Sequence, residues 1–383
     1  TDDPKIKKIA TKENVQTIDR PARLASKKAL GTDAFEHGYY YIKNELKKKV
    51  ESLEEVNFSE LLKISRNTIY DLDSSNDIIK NKLLEWNKSK IKLLSEKYST
   101  DLYSIDINDL LKKNFTPPAY DNPNEVDGRI ILRDNFDELL KNHDNLFIFG
   151  EDVGKIGDVN QGLEGLQKKY GKNRVFDTGI RESTIVGQAI GMALRGLKPI
   201  AEIQYLDYIL YALQILSDDV ATMSYRTHGR QKAPIIIRTR GHRLEGIWHA
   251  GSPLGGMINF LRGILILTPR NMTKAAGFYN SLVKLDQPAI VIEPLNGYRT
   301  KEKIPSNLGE LETPIGEVDI IKKGKDLTII SYGSTLNIVE KVGQKLLDYD
   351  IDCEIIDLQS LIPFDISHRI KKSVEKTNRI LIV

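Results

Sequence analysis

The residues of this chain that could hold or move protons gather in three polar loops. Gly150-Glu-Asp-Val-Gly154 carries adjacent carboxylates, Glu151 and Asp152. Phe176-Asp-Thr-Gly-Ile-Arg-Glu182 ends in a carboxylate at the head of an Ala/Gly-rich helical stretch. Gly241-His-Arg-Leu-Glu-Gly-Ile-Trp-His249-Ala-Gly-Ser-Pro holds His242 and His249 and is too Gly- and His-rich for a plain connector. Carboxylates and imidazoles are the common general acids and bases, and histidine's free pKa lies near 6.5. Each also has a plainer role. Glu182 fits a capping carboxylate stabilised by the helix dipole. Glu151 and Asp152 fit strand-end carboxylates satisfied by backbone N–H groups. Arg238, Arg240 and Arg243 fit a clamp for a substrate carboxylate and, equally, an ion-paired loop.

Several chemistries are excluded. There is no Gly-x-x-x-x-Gly-Lys-Ser/Thr phosphate loop, no Gly-x-Gly-x-x-Gly after a strand, no Gly-x-Ser-x-Gly elbow and no His-Glu-x-x-His. The single cysteine, Cys353, precludes an internal disulfide and a cysteine-cluster metal site. A net charge of +3 is too balanced to point to nucleic acid. No apolar run approaches the ~18 residues of a membrane span. The start is polar, unlike a signal peptide. The first residue, Thr1, and the closing strand Ile380-Leu-Ile-Val383 read as the ends of a fragment.

The loops need a scaffold, and the pattern supplies one. Leu146–Phe149, Pro199–Tyr205, Pro234–Arg238, Ile264–Leu267 and Ala289–Glu293 read as buried strands. Helical stretches at Ser183–Leu194, Tyr208–Met223 and Met272–Leu285 lie between them. The alternation predicts an α/β fold, a parallel sheet with helices on both faces, with ligands at the carboxyl ends of its strands. Residues 128–304 form this domain. Residues 305–383 repeat the rhythm as a smaller, truncated α/β domain, with strands at Leu327–Ile330, Cys353–Asp357 and Ile380–Val383 and helices at Leu336–Leu347 and Ile370–Val374. Residues 1–127 form a helical leader. In it Ile79, Leu83, Leu84, Ile91, Leu94 and Tyr98 make an amphipathic stripe, Trp86 fits a helix–helix contact, and Tyr39, Tyr40 and Tyr41 fit a helix face. The prolines of Thr116–Gly128 close the leader.

Arg174-Val, Phe176-Asp-Thr-x-x-x-Glu182, Ile185-Val-Gly-Gln-Ala-Ile-Gly-Met-Ala193 and Pro199-Ile-Ala-Glu-Ile-Gln-Tyr-Leu-Asp-Tyr208 resemble the β half of a thiamine-diphosphate-dependent 2-oxo acid dehydrogenase, the E1 component. The resemblance runs from about residue 128 to 383 and implies a pyrimidine-binding domain followed by a transketolase C-terminal domain. The leader is similar to the joining region of single-chain bacterial E1 enzymes. The activity implied is oxidative decarboxylation of a 2-oxo acid, pyruvate or branched-chain, with acyl transfer to the lipoyl group of an E2 acyltransferase.

By the same resemblance Glu182 is the carboxylate beside N1′ of the cofactor's aminopyrimidine, and Gln204 and Tyr208 line that ring. Tyr208 also fits a core aromatic at a helix start. His249 matches the histidine of the family's His-Ser-Gln-Ser loop, which assists transfer to the lipoyl group. Here the loop reads His-Ala-Gly-Ser-Pro and is about two residues shorter, and His242 is a competitor for an active-site contact. Glu151 and Asp152 fit an acidic passage between paired sites. Arg238, Arg240 and Arg243 fit a grip on the substrate carboxylate or on the lipoyl domain. Mg²⁺ belongs to a Gly-Asp-Gly…Asn motif of an α-type half, and this chain has no Gly-Asp-Gly. No metal ligand is therefore expected here, apart from K⁺ on carbonyls near Leu282–Gln287. An α-type half and an α₂β₂-like assembly are implied. The setting implied is the bacterial cytoplasm, or an organelle matrix in a eukaryote. The competing readings are a transketolase or deoxyxylulose-phosphate-synthase relative and a non-catalytic scaffold.

Overall fold

The computed structural model describes residues 4–12, 18, 40–41, 43–44, 58–71, 77–98, 101–121, 124–242, 249 and 251–383. The chain forms two compact units, Thr1–Tyr98 and Ser99–Val383. No helix among the described residues is long and apolar enough to cross a membrane.

In the first unit α1 spans Pro4–Lys12, α2 Phe58–Asp71 and α3 Asp77–Tyr98, and α2 packs against α3. The stripe expected on α3 divides. Leu83 and Trp86 are half-buried, whereas Leu84 and Ile91 are exposed, because residues one apart on a helix point about 100° from each other. The side chains of Leu94 and Tyr98, and Tyr39, lie outside the described residues. Tyr40 is exposed and Tyr41 half-buried.

The second unit begins with a 3₁₀ turn, Ile107–Lys112, capped by Asp106, whose carboxylate accepts the Asn108 N–H at 2.9 Å. Leu110 in that turn is buried in the core. Strand β1 (Glu125–Asp127) leads into α4 (Gly128–Asn142), an element the strand-by-strand sequence reading passed over. The helix starts at glycine for a steric reason. A Cβ at Gly128 would lie 2.5 Å from the Gly297 carbonyl oxygen.

From there strand and helix alternate. β2 is Leu146–Gly150, α5 Leu166–Tyr170, β3 Val175–Asp177, α6 Glu182–Leu194 and β4 Lys198–Ile203. The expected helix Tyr208–Met223 is replaced by a 3₁₀ segment (Leu206–Ala212), a short α7 (Leu213–Ile215), a π turn (Leu216–Val220) and α8 (Met223–Arg226). Apolar spacing of three to four fits all three helix types, so the pattern could not separate them. β5 is Ile236–Gly241, α9 Leu254–Phe260, β6 Leu265–Leu267, α10 Met272–Val283, β7 Ala289–Pro294 and β8 Lys301–Lys303, which pairs antiparallel with β1.

The main sheet has the order β12-β6-β7-β5-β4-β2-β3, where β12 is Ser360–Ile362, and is parallel except at its β12 edge. Every residue of β4, β5 and β7 is buried, as expected of central parallel strands covered on both faces. One face packs on α4 and α10 through Phe136, Phe278 and Tyr279, the other on α6 and the 206–226 segment through Ile185, Val186 and Leu216.

The remaining chain forms β9 (Asp319–Lys322), β10 (Leu327–Ser331), α11 (Leu336–Lys345), β11 (Cys353–Asp357), β12 (Ser360–Ile362), α12 (Arg369–Thr377) and β13 (Ile380–Ile382). Its sheet has the order β13-β10-β11-β9, while β12 joins the main sheet. The two sheets are also tied by Arg270, whose Nη1 lies 2.8 Å from Asp319 and 2.9 Å from Asp357, with Lys274 at 2.9 Å from Asp319.

Burial opposes ionisation of Asp319, but Lys274 and Arg270 outweigh it and hold the carboxyl at about 2. Its stabilising contribution is therefore present above the free carboxyl value near 3.9 and lost as pH falls toward about 2. Asp319→Asn is expected to melt at a lower temperature than wild type at neutral pH. The gap should shrink below about pH 4, which thermal unfolding followed across pH would show.

Candidate active site

Because β5, β4, β2 and β3 are neighbours, their carboxyl ends form one continuous edge, and the polar loops leave the sheet there. β2 delivers Glu151 and Asp152, β4 delivers Gln204, Tyr205 and Tyr208, and β5 leads to His242 and His249. β3 leads to Glu182, the first residue of α6. Stacking of Phe149 on Phe176, 5.0 Å between centroids and 4° from parallel, holds the ends of β2 and β3 together.

Glu182 is buried, and its carboxylate has no hydrogen-bond partner among the described residues. Glu151 is its electrostatic neighbour. Burial raises the Glu151 carboxyl above the usual range, and the charges of Glu182 and Asp152 raise it further. The Oε1 of Glu151 is buried without a partner. Asp152 accepts a hydrogen bond from Gln204 Nε2 at 2.7 Å. Burial raises the Tyr208 phenol, helped by Tyr205 and Glu151. The His249 ring lies flat on Tyr205, 3.8 Å between centroids and 9° from parallel, and meets Tyr208 edge-on at 5.3 Å. Just beyond His249 the chain passes over Asp207, where a Cβ on Gly251 would sit 1.6 Å from Oδ1. The structure thus brings Glu182, Glu151, Asp152, Gln204, Tyr208 and His249 to one edge. Tyr205, which the sequence reading did not single out, is the platform for the histidine.

Arg238 is not part of that surface. The expectation that it holds a substrate carboxylate is corrected, as it is for Arg240, because both are fully buried under the strand ends. Arg238 Nε and Nη2 donate to Glu293 at 2.9 and 3.2 Å, and Nη1 lies 2.8 Å from Asp158 and also pairs with Glu202. Arg240 donates to Glu202 at 2.6 Å and to the Tyr298 hydroxyl at 3.1 Å. The Tyr279 hydroxyl donates to Glu293 at 2.7 Å, and Tyr298 donates to the same carboxylate. Isolated buried charges are prohibitive, so each guanidinium must spend its donors on carboxylates. Arg243 lies outside the described residues.

The network reaches the site through Asp158. Its carboxylate accepts the N–H groups of Asn160 and Gly162 at 2.6 and 3.1 Å, and its own N–H donates to the Asp152 carbonyl at 2.8 Å. A sequence signal for the network existed. Glu202, Arg238, Arg240 and Glu293 interrupt otherwise apolar strands at their carboxyl ends, and a charge in such a strand needs a partner in the next.

His242 also turns elsewhere. Its Nε2 is 3.1 Å from Thr335 Oγ1 and its ring stacks on Tyr332 at 4.7 Å, both in the C-terminal portion. In the stretch considered for K⁺, the Leu285 carbonyl accepts the Lys198 ammonium, which burial brings down to about 8. Gln287 there is tied to Ser104 N and Gly263 O at 2.7 and 2.6 Å. Among the described residues no group of three or more His, Cys, Asp or Glu is placed to hold a metal.

The transketolase pyrimidine-binding domain family matches residues 124–301, and the transketolase C-terminal domain family matches residues 316–383. The pyruvate dehydrogenase E1 component subunit beta of Acholeplasma laidlawii is 36% identical over 249 residues, 64% of this chain and 75% of the relative. That of Bacillus subtilis (strain 168) is 36% identical over 247 residues, with the same shares. This chain belongs to the E1 β-subunit family. Solved structures agree on the fold of this E1 β-type chain. A split-gene transketolase, described as an inactive β4 tetramer, aligns with a TM-score of 0.55 at 17% identity, covering 67% of this chain and 78% of its own. The transketolase of Campylobacter jejuni gives a TM-score of 0.52 at 14% identity, covering 80% and 45%.

In this E1 β-type chain Arg238→Met removes the shared partner of three buried carboxylates. It is expected to cost about 3–5 kcal/mol of stability in denaturant unfolding. Burial raises Glu202 to about 7 against the pull of Arg240 and Arg238. A raised carboxyl stabilises fully below its free value near 4.3, and that contribution is lost as pH rises through about 7. Glu202→Gln should therefore lose less stability than wild type from about pH 5 to about pH 8; equal slopes would contradict the assignment.

Proposed function

We propose that this chain supplies the aminopyrimidine side of a thiamine diphosphate site in an E1 enzyme. That enzyme decarboxylates a 2-oxo acid and passes the acyl group to the lipoyl group of an E2 acyltransferase. The carrying observation is that Glu182 is buried with no hydrogen-bond partner among the described residues, close enough to Glu151 to act on it electrostatically, at the strand-end edge that also carries the orphaned Oε1 of Glu151 and the Tyr208–His249 contact. The residues fit the cofactor, because a free buried carboxylate needs a polar ring atom to satisfy it and a flat apolar edge suits a heteroaromatic ring. When bound, the cofactor supplies the electron sink that decarboxylation requires.

In this reading Glu182 holds the proton at N1′ of the aminopyrimidine. Gln204, fixed by Asp152, and Tyr208 orient that ring. His249 exchanges a proton near the substrate during transfer, a role supported by its flat packing on Tyr205. Glu151 and Asp152 begin an acidic passage toward a second, paired site. An α-type half contributes the Mg²⁺ ligands, so the working unit is α₂β₂-like, as expected of a site completed at an interface. We take residues 1–127 as leader, 128–304 as pyrimidine-binding domain and 305–383 as transketolase C-terminal domain, and place the enzyme in the cytoplasm of a bacterium. Pyruvate is the first substrate to test, since the relatives carry that name.

The test is reconstitution with an α-type half, thiamine diphosphate and Mg²⁺, following decarboxylation of pyruvate and of 3-methyl-2-oxobutanoate with an artificial electron acceptor. Glu182→Gln is expected to lower turnover about 10²–10⁴-fold while the complex still assembles. Full activity in that variant would sink the assignment. Turnover of sugar phosphates alone would favour a transketolase-type enzyme, and absence of cofactor binding a scaffold.

A further inference from the structure

His242 and His249 bracket the segment that follows β5, and they are fastened to different parts of the molecule. His249 rests on Tyr205 at 3.8 Å, at the end of β4 in the main sheet. His242 rests on the turn that follows β10 in the C-terminal sheet, stacked on Tyr332 at 4.7 Å and 25°. Its Nε2 is 3.1 Å from Thr335 Oγ1.

The fit between His242 and that turn is close. Gly333 has φ +55, and a Cβ there would lie 2.6 Å from His242 Cδ2, so both its backbone and the imidazole require glycine. His242 itself has φ +53, a conformation few residues other than glycine adopt unless the surroundings hold them. Burial lowers its pKa, which keeps the ring neutral. A neutral imidazole offers one donor and one acceptor nitrogen, and Nε2 can take either role toward the Thr335 hydroxyl.

We propose that His242 is a positioning residue through which the C-terminal domain holds the end of β5, the covalent anchor seven residues ahead of His249. The inference rests on the role proposed above for His249. It assigns the C-terminal domain a part in the chemistry without placing any of its side chains on the substrate. A strand end held by a second domain is restrained in a way that a loop on one domain is not, and small misplacements of reacting groups are costly.

The experiment uses the complex assembled with the α-type half and the variants His249→Ala, His242→Ala, His242→Asn, Thr335→Val and the His242→Ala/Thr335→Val pair. It reads lipoyl acylation, decarboxylation with an artificial acceptor, and melting temperature. Asparagine tolerates the left-handed backbone and offers a donor and an acceptor. His242→Ala is expected to slow lipoyl acylation roughly tenfold while changing artificial-acceptor turnover less than about twofold. His242→Asn should recover most of the loss, Thr335→Val should reproduce part of it, and the pair should be no worse than His242→Ala alone. Unchanged acylation in His242→Ala, with His249→Ala impaired, would overturn the inference by itself. So would equal losses in the alanine and asparagine variants that follow melting temperature. Unchanged acylation in His249→Ala would overturn the reading of His249 and, with it, this inference.

Discussion

The cluster of Arg238, Arg240, Asp158, Glu202 and Glu293 is the constraint on which the site depends. Three carboxylates and two guanidiniums lie fully buried at the carboxyl ends of central strands. A low-dielectric interior does not tolerate an unbalanced charge, and burial pushes Glu202 up to about 7, toward the neutral form that would relieve the imbalance. The strands that carry these groups must therefore keep their register, because slippage by one residue would turn every charge into the opposite apolar layer. Asp158 extends that restraint outward. By holding Asn160 and Gly162 it folds the loop after β2, and through the Asp152 carbonyl it fixes the carboxylate that receives Gln204.

Above this rigid floor the site is electrostatically unsatisfied. Glu182 and Glu151 are buried or half-buried neighbours of like charge, and neither has a cation to answer it among the described residues. The helix end at Glu182 offsets part of that cost. The contrast with the floor is informative. Below, the charges lie in mutual ion pairs and the role is structural, although Glu202 Oε1 and Arg240 Nη1 are left without a hydrogen bond; at the edge the Glu151 carboxylate has no ion pair among the described residues, as a binding site for a polar aromatic group requires.

The two sheets behave as one support for the edge. β12 leaves the C-terminal portion to pair with β6, Arg270 joins Asp319 and Asp357, and His242 meets Tyr332 and Thr335. The Arg270 and His242 contacts are directional and set orientation, while β12 also brings Leu361 and Ile362 against the apolar core of the main sheet. His242 thus rests on the C-terminal portion and His249 on the main sheet.

The alternation of short apolar strands with helices was legible, because buried parallel strands are continuous apolar runs and their helices carry a period near 3.6. The connectors after β2 and β3 that hold Glu151 and Glu182 stood out too, since Gly and Asp in connectors contrast with such runs. The helix type between Leu206 and Arg226 was not, because α, 3₁₀ and π turns share nearly the same apolar spacing. Arg238 shows the limit most clearly. A run ending in Arg-Thr-Arg reads as a strand passing into a charged loop, and β5 instead continues to Gly241 because Glu202, Asp158 and Glu293 lie across from it. Those partners are separated by up to 135 residues along the chain, from Asp158 to Glu293. Residue type and spacing therefore determined which groups this protein could use. Which of them are sealed in the floor, which reach the edge, and which of two histidines faces Tyr208 were decided by strand order, since only folding sets the distance between charges remote in sequence.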